Sequence, residues 1–156
     1  MCTGSSLFWR DIPEQIIEHY HLQDRILVRD EEADREIRFL YRERKRLLPV
    51  WHHDRFDLCR WGTKDRPCSL PDTGWVAWED IEAGLWSELH PEMVDIPAAF
   101  GLDRGVWYQI QEGIRGISVT DPNGRPHVYM LTEPSSHYYQ VMTRNERMPV
   151  LIGQRI

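Results

Sequence analysis

Cysteine at position 2 stands directly behind Met1. With the methionine removed, that residue carries an α-amine and a thiol two carbons apart. An α-amine has an ordinary pKa of about 7.7–8.0, so a share of it is neutral and nucleophilic near pH 7, whereas a lysine amine, near about 10.4, is mostly protonated. Such a pair suits a carbonyl substrate. Nitrogen adds to an aldehyde first, and sulfur then adds to the product within the same residue, so the second attack is intramolecular and fast. Thr3, the next residue, does not obstruct removal of Met1.

The other candidates for chemistry are weaker. Cys59 lies in the alternating run RFDLCRW and reads as a small buried hydrophobe. Cys68 reads as an incidental loop residue. His52 and His53 are adjacent in a strand and point to opposite faces, and His19 and His21 are two apart in a helix, so neither pair readily shares a metal ion. There is no CxxC pair, no HExxH, no P-loop and no GxSxG. No metal and no cofactor are implied. The aromatic supply, Trp61, Trp75, Trp78, Trp107, Tyr108, Tyr138 and Tyr139, reads mostly as core. One or two of these rings, if exposed near Cys2, would stack unpaired bases at ~1–3 kcal/mol each. Arg60, Arg147 and the group Arg38, Arg42 and Arg44 are candidates for holding phosphates. A solvated surface is the alternative for all of them, and an ion pair within the fold is the alternative for Arg147.

These residues need a frame. Asp11 as a cap, Pro13 at an early position and Ile16, Ile17 and Tyr20 on one face predict a short helix in DIPEQIIEHYHL. From Glu36 the pattern has period two, with Ile37, Phe39 and Tyr41 alternating with Arg38, Leu40 and Arg42, which predicts a strand. LLPVWHH and RFDLCRW, joined at Asp54, predict a β-hairpin. The stretch from Gly62 to Gly74 predicts a surface loop. WEDIEAGLWSEL predicts a helix with Ile81, Leu85 and Trp86 inward, weakened by Gly84. The last third is strand-rich: VDIPAAF, GVWYQI, GIRGISVT, HVYMLT and RMPVLI, with a tight Asn-Gly turn in DPNGRP. The expectation is one α+β domain over residues 1–156, dominated by strands, with two or three short helices.

Bulk properties narrow the function classes. The chain has 156 residues, 41% hydrophobic and 28% charged, enough for one domain with one core. No apolar run approaches the ~20 residues of a membrane helix, and the start lacks the layout of a signal peptide. Three irregularly spaced cysteines make no disulfide framework. A cytoplasmic monomer with no membrane partner is the expectation. The net charge of −6 argues against indiscriminate nucleic-acid adhesion. The charge is unevenly placed, however. Arg35 to Arg46 holds six basic residues, and Val76 to Asp103 holds seven acids and no Lys or Arg. A basic face of that kind could steer a polyanion.

Several segments fall in the order of a known family. Met1-Cys2 opens the chain, LLPVWHHDRFDLCRWG ends in Arg60-Trp61-Gly62, and IPAAF spans Ile96 to Phe100. GVWYQI follows at Gly105 to Ile110, then Leu131-Thr132-Glu133, then RNERMPVLI at Arg144 to Ile152. Together they resemble the SOS-response-associated peptidase (SRAP) family, whose members show Arg-Trp-Gly, Ile-Pro-Ala, Gly-Phe-Tyr-Glu-Trp, Thr-Thr-Glu and His-Asp-Arg-Met-Pro-Val-Ile-Leu in that order. The likeness covers roughly half the chain, which is shorter than typical members. It implies a mixed sheet or barrel with short helices. It also implies a sensor of abasic sites in single-stranded DNA, in which Cys2, freed of Met1, forms a thiazolidine crosslink with the ring-opened sugar.

The resemblance also assigns positions. The family surrounds its cysteine with an Asn, a Glu and a His. Its Glu position falls here on Gln109 and its His position on Asn145, and no asparagine follows soon after Arg-Trp-Gly. Neither Gln109 nor Asn145 titrates near neutral pH, and general acid–base help is typically worth ~10²–10⁴-fold in rate. Glu133 and His137 are the nearest substitutes along the chain. Arg60, Trp61, Arg147 and His137 are the expected DNA contacts. Two other readings stand beside this one: a binding module that keeps the fold without the crosslinking chemistry, and a Cys2-dependent enzyme acting on a small carbonyl substrate.

Overall fold

The computed structural model describes residues 1–64 and 69–156; Cys68 lies outside the described residues. In chain order the elements are β1 (Gly4–Phe8), α1 (Glu14–His19), β2 (Ile26–Leu27), β3 (Glu36–Leu40), β4 (Leu47–His52), β5 (Arg55–Trp61), β6 (Trp75–Ala77), α2 (Trp78–Glu82), β7 (Glu92–Pro97), β8 (Phe100–Asp103), β9 (Val106–Gln109), β10 (Gly113–Thr120), β11 (Pro126–Pro134), α3 (His137–Thr143) and β12 (Arg147–Pro149). The fold is α+β and dominated by strands, with three short α-helices among the described residues, as the sequence predicts. Among the described residues no helix is long and apolar enough to cross a membrane.

The strands form two sheets. In the larger, β10, β7, β4, β5 and β11 pair in turn and β11 returns to pair with β10, closing a five-stranded barrel. Around the barrel the pairs are antiparallel except β5–β11, where Arg60 and Trp61 run parallel to His127 and Val128; outside the barrel, β6 also runs parallel to β11. β12 and β6 attach along β11. The smaller sheet has the order β2-β3-β1-β8-β9 and is antiparallel throughout. One continuous core joins the two, because Leu7, Ile37, Phe39 and Tyr108 of the small sheet share it with Leu48, Val50, Leu58 and Ile96 of the barrel. Closing the barrel leaves it no free ladder edge, so the strand positions around its rim are tightly fixed.

Several local expectations hold and several change. The hairpin of LLPVWHH and RFDLCRW forms, with Leu47 opposite Arg60 and His52 opposite Arg55. Helix α1 begins after Pro13, and no side chain caps it; Asp11 instead ends a 3-10 turn. Helix α2 is only five residues long, because the chain turns at Gly84, whose φ of 76° belongs to the left-handed region open to glycine. The Asn-Gly turn is wider than a two-residue hairpin. It is built on Asp121, whose carboxylate accepts from the Asn123 and Arg125 amides at 2.8 and 3.0 Å. Strand β1 and helix α3 form where the sequence pattern marks neither.

Candidate functional site

Strand β1 carries the amino terminus into the middle of the small sheet, between β3 and β8. The backbone is held on both sides as far as Thr3: its amide donates to Leu102 O at 2.7 Å and its carbonyl accepts from the Tyr41 amide at 3.0 Å. Cys2 comes next. The Trp75 indole donates to its carbonyl at 3.0 Å, and its thiol donates to Gly4 O at 3.1 Å. The side chain is buried. Burial pushes the thiol's pKa up, against a smaller lowering by a hydrogen bond from Tyr108. Near pH 7 the sulfur is therefore held as a thiol.

The β8–β9 hairpin supplies the neighbours of Cys2. Arg104 and Gly105, with φ of 47° and 80°, make its turn. Side chains alternate along β8, so Gly101 and Asp103 share the buried face. Gly101 makes room for Tyr108, which lies directly across the ladder. Asp103 is fully buried and collects donors from three separate segments: the Tyr139 hydroxyl at 2.6 Å, Asn145 Nδ2 at 3.3 Å to both oxygens, and the Met1 ammonium at 3.5 Å. Tyr139 rises from α3, whose first turn Ser136 caps through the Tyr139 amide at 3.1 Å. Its hydroxyl also lies 3.3 Å from that of Tyr108. Burial, first of all, pushes both tyrosines far above their usual range, so both remain neutral phenols. A buried chain of polar groups thus runs from the Cys2 thiol through Tyr108 and Tyr139 to Asp103, where the exposed Met1 meets it through its amine.

This terminus lies at the wall of a hollow of about 1130 Å³. Met1, Asp103, Asn145 and Arg147 line it, and so do Arg42, Arg46, Lys64, Arg104 and Arg144. The described lining residues hold six Lys and Arg side chains against two carboxylates, Asp103 and Glu146. In a chain of net charge −6 that is a local reversal of sign. A second, smaller hollow holds Arg44, Lys45 and Arg60, and it shares Arg46 and Lys64 with the first.

The residues expected from sequence separate into two groups. Asn145 and Arg147 line the large hollow with Met1, while Cys2 is buried behind Met1 and does not line it. Arg147 also pairs with Glu79 at 2.9 Å and donates to Thr132 O and Oγ1 at 2.9 and 3.1 Å, so part of its role is structural. Arg60 lines the neighbouring hollow. Gln109 does not approach Cys2: it follows Tyr108 by one, is exposed, and lines a separate hollow with Trp51, Phe100 and Glu112. Glu133 lines hollows on the β11–β12 side, and His137 is exposed at the start of α3. Trp61 is no base-stacking surface. It is fully buried, its indole donates to Gly74 O at 2.9 Å, and its ring packs edge-on against Tyr41 and Trp75.

Asp103 is not among the residues that the sequence singles out, and Tyr108 and Tyr139 stand out only as part of the aromatic supply. One signal was available. In FGLD, the polar Asp103 shares a face with Gly101, where an inward strand position would ordinarily be apolar. Comparison with protein-family models gives no match to this chain, and comparison with curated proteins gives none either.

Proposed function

We propose that the protein captures aldehydes of abasic single-stranded DNA through Cys2, in the manner of the SRAP family, after removal of Met1. The observation that carries this reading is the meeting of the chain's amino terminus with the buried Asp103 inside a basic hollow. The amine in that contact belongs to Met1; once Met1 is removed, the Cys2 amine one residue inward becomes the nucleophile the reaction needs, and the hollow's charge is the one a phosphate backbone needs.

The chemistry balances with the groups at hand. The Cys2 amine adds to the aldehyde carbon, and the carbinolamine loses one water to give an iminium. The Cys2 sulfur then adds to the iminium carbon, the thiol proton leaves, and the nitrogen ends as a secondary amine in a five-membered ring. In this reading Asp103, which pairs with the Met1 amine before processing, takes and returns protons at the Cys2 nitrogen. Tyr108 and Tyr139 link the sulfur to that same carboxylate. In this reading Asp103 supplies the acid–base help that Gln109 and Asn145 cannot, and Asn145 orients it.

The test is a denaturing gel of the purified protein with an oligonucleotide bearing one abasic site, with intact mass measured alongside. The expected result is a shifted band of protein plus oligonucleotide less one water, absent from Cys2→Ala and from protein that retains Met1. Protein with a free Cys2 terminus that gives no band removes this reading. Non-covalent binding without the band would leave a binding module.

A further inference from the structure

We propose that Arg46 and Lys64 seat a backbone phosphate of single-stranded nucleic acid in the smaller hollow, one step along the strand from the large hollow that Met1 lines. The proposal rests on the nucleic-acid half of the reading above and not on its covalent step.

The smaller hollow has a volume of about 360 Å³, within the range of small-ligand sites. Arg44, Lys45, Arg46, Arg60, Lys64 and His127 line it, with no carboxylate among the described lining residues. Like charges gathered on one face raise the local positive potential, which favours an arriving anion. Arg46 and Lys64 line both hollows, so the two are continuous.

Arg46 is held in a definite pose. Its guanidinium lies over the Tyr41 ring, 3.9 Å from the centroid. Its Nη1 is enclosed and has no hydrogen-bond partner among the described residues. That atom is closed to solvent, so an arriving oxygen acceptor meets the rest of the guanidinium, which lines both hollows. Lys64 Nζ approaches the same ring at 5.9 Å. The wall beneath is firm: His127 bridges Gly62 O and Asp121 Oδ2, each at 2.8 Å, which fixes the turn that delivers Thr63 and Lys64. A planar fork on an aromatic face beside a flexible ammonium suits a phosphodiester with two free oxygens.

The experiment measures fluorescence anisotropy of an undamaged oligothymidylate against salt concentration, using the full chain. For single strands the slope of log K on log salt changes by about 0.7 for each phosphate that the protein no longer neutralises. Lys64→Gln and Arg46→Gln are each expected to flatten the slope by about that amount. Arg155→Gln, on the β11–β12 side, is expected to leave it unchanged. The same oligonucleotide with uncharged methylphosphonate linkages is expected to erase the difference between wild type and Lys64→Gln. Lys64 is exposed, so that variant tests the seat without risk to the fold. A wild-type slope in Lys64→Gln, or an equal change in Arg155→Gln, overturns the proposal. Abasic crosslinking with unaltered slopes would overturn the seat and leave the Cys2 reading standing. Altered slopes without crosslinking would do the reverse.

Discussion

The Tyr139 hydroxyl donates to the Asp103 carboxylate at 2.6 Å across 36 positions of sequence, and both residues are buried. The bond ties α3 to the β8–β9 hairpin beside the amino terminus. Tyr139→Phe keeps the ring and removes the donor. The loss of one partner from a buried charged group is expected to cost about 1–3 kcal/mol, which lowers the melting temperature by ~2–4 °C per kcal/mol for a chain of this size. Calorimetry reads that shift. The crosslinking rate to an abasic oligonucleotide is expected to fall more steeply than a stability loss alone explains, because the folded fraction stays near one.

Gly101 and Tyr108 make a second close relationship. A Cβ at Gly101 would lie 2.5 Å from Tyr108 Cζ and 2.6 Å from its hydroxyl. Gly101→Ala is therefore expected to push the ring off the Cys2 thiol, at an overpacking cost of about 1–3 kcal/mol. Crosslinking should slow, and the double variant Gly101→Ala with Tyr108→Phe should recover stability in part. Equal melting temperatures for wild type and Gly101→Ala would contradict the crowding.

Burial holds the Cys59 thiol up at about 12. The raised value means that the native state keeps its proton where the unfolded state loses it. The stability contributed by the neutral thiol is fully present below pH 9, the ordinary value, and is lost as pH rises from 9 to 12. Comparison with Cys59→Ala isolates it. The stability difference between the two proteins should be level from pH 7 to 9 and should then shift steadily in favour of the variant. Urea unfolding at a series of pH values measures it, and a flat difference through pH 12 would contradict the burial.

The Arg147–Glu79 pair is half open to solvent, with Glu79 52% exposed. Exposed pairs are worth about 0–1 kcal/mol, so Glu79→Gln should barely move the melting temperature. It also removes the negative charge paired with Arg147, which lines the large hollow. Oligonucleotide affinity is expected to rise and the salt slope to steepen. Unchanged affinity would place Arg147 wholly in the service of the fold.

Much of the frame was legible in the sequence. Period-two alternation located β3 and β5, since a half-buried strand leaves that mark, and the hairpin pattern joined at Asp54 located β4. Strand β1 was not legible, because Gly4, Ser5 and Ser6 are buried without being apolar, and a strand central to its sheet shows no alternation. Helix α3 was hidden in the same way: Tyr138 and Val141 are apolar but exposed, which blurs its stripe. At the site, Cys2 was singled out by its position together with the family resemblance. Asp103 could not, because what distinguishes it is convergence of three distant segments, and sequence distance conceals convergence. Trp61 misled for the opposite reason: aromatic type suggests stacking, while only the fold decides which rings keep an open face.

The hold on Thr3 from both neighbouring strands carries a practical corollary. Anything joined ahead of Met1, such as an affinity handle or a reporter fusion, must exit through the basic hollow and would cork it. Preparations meant to reveal ligand capture should carry such additions behind Ile156, at the far end of the chain.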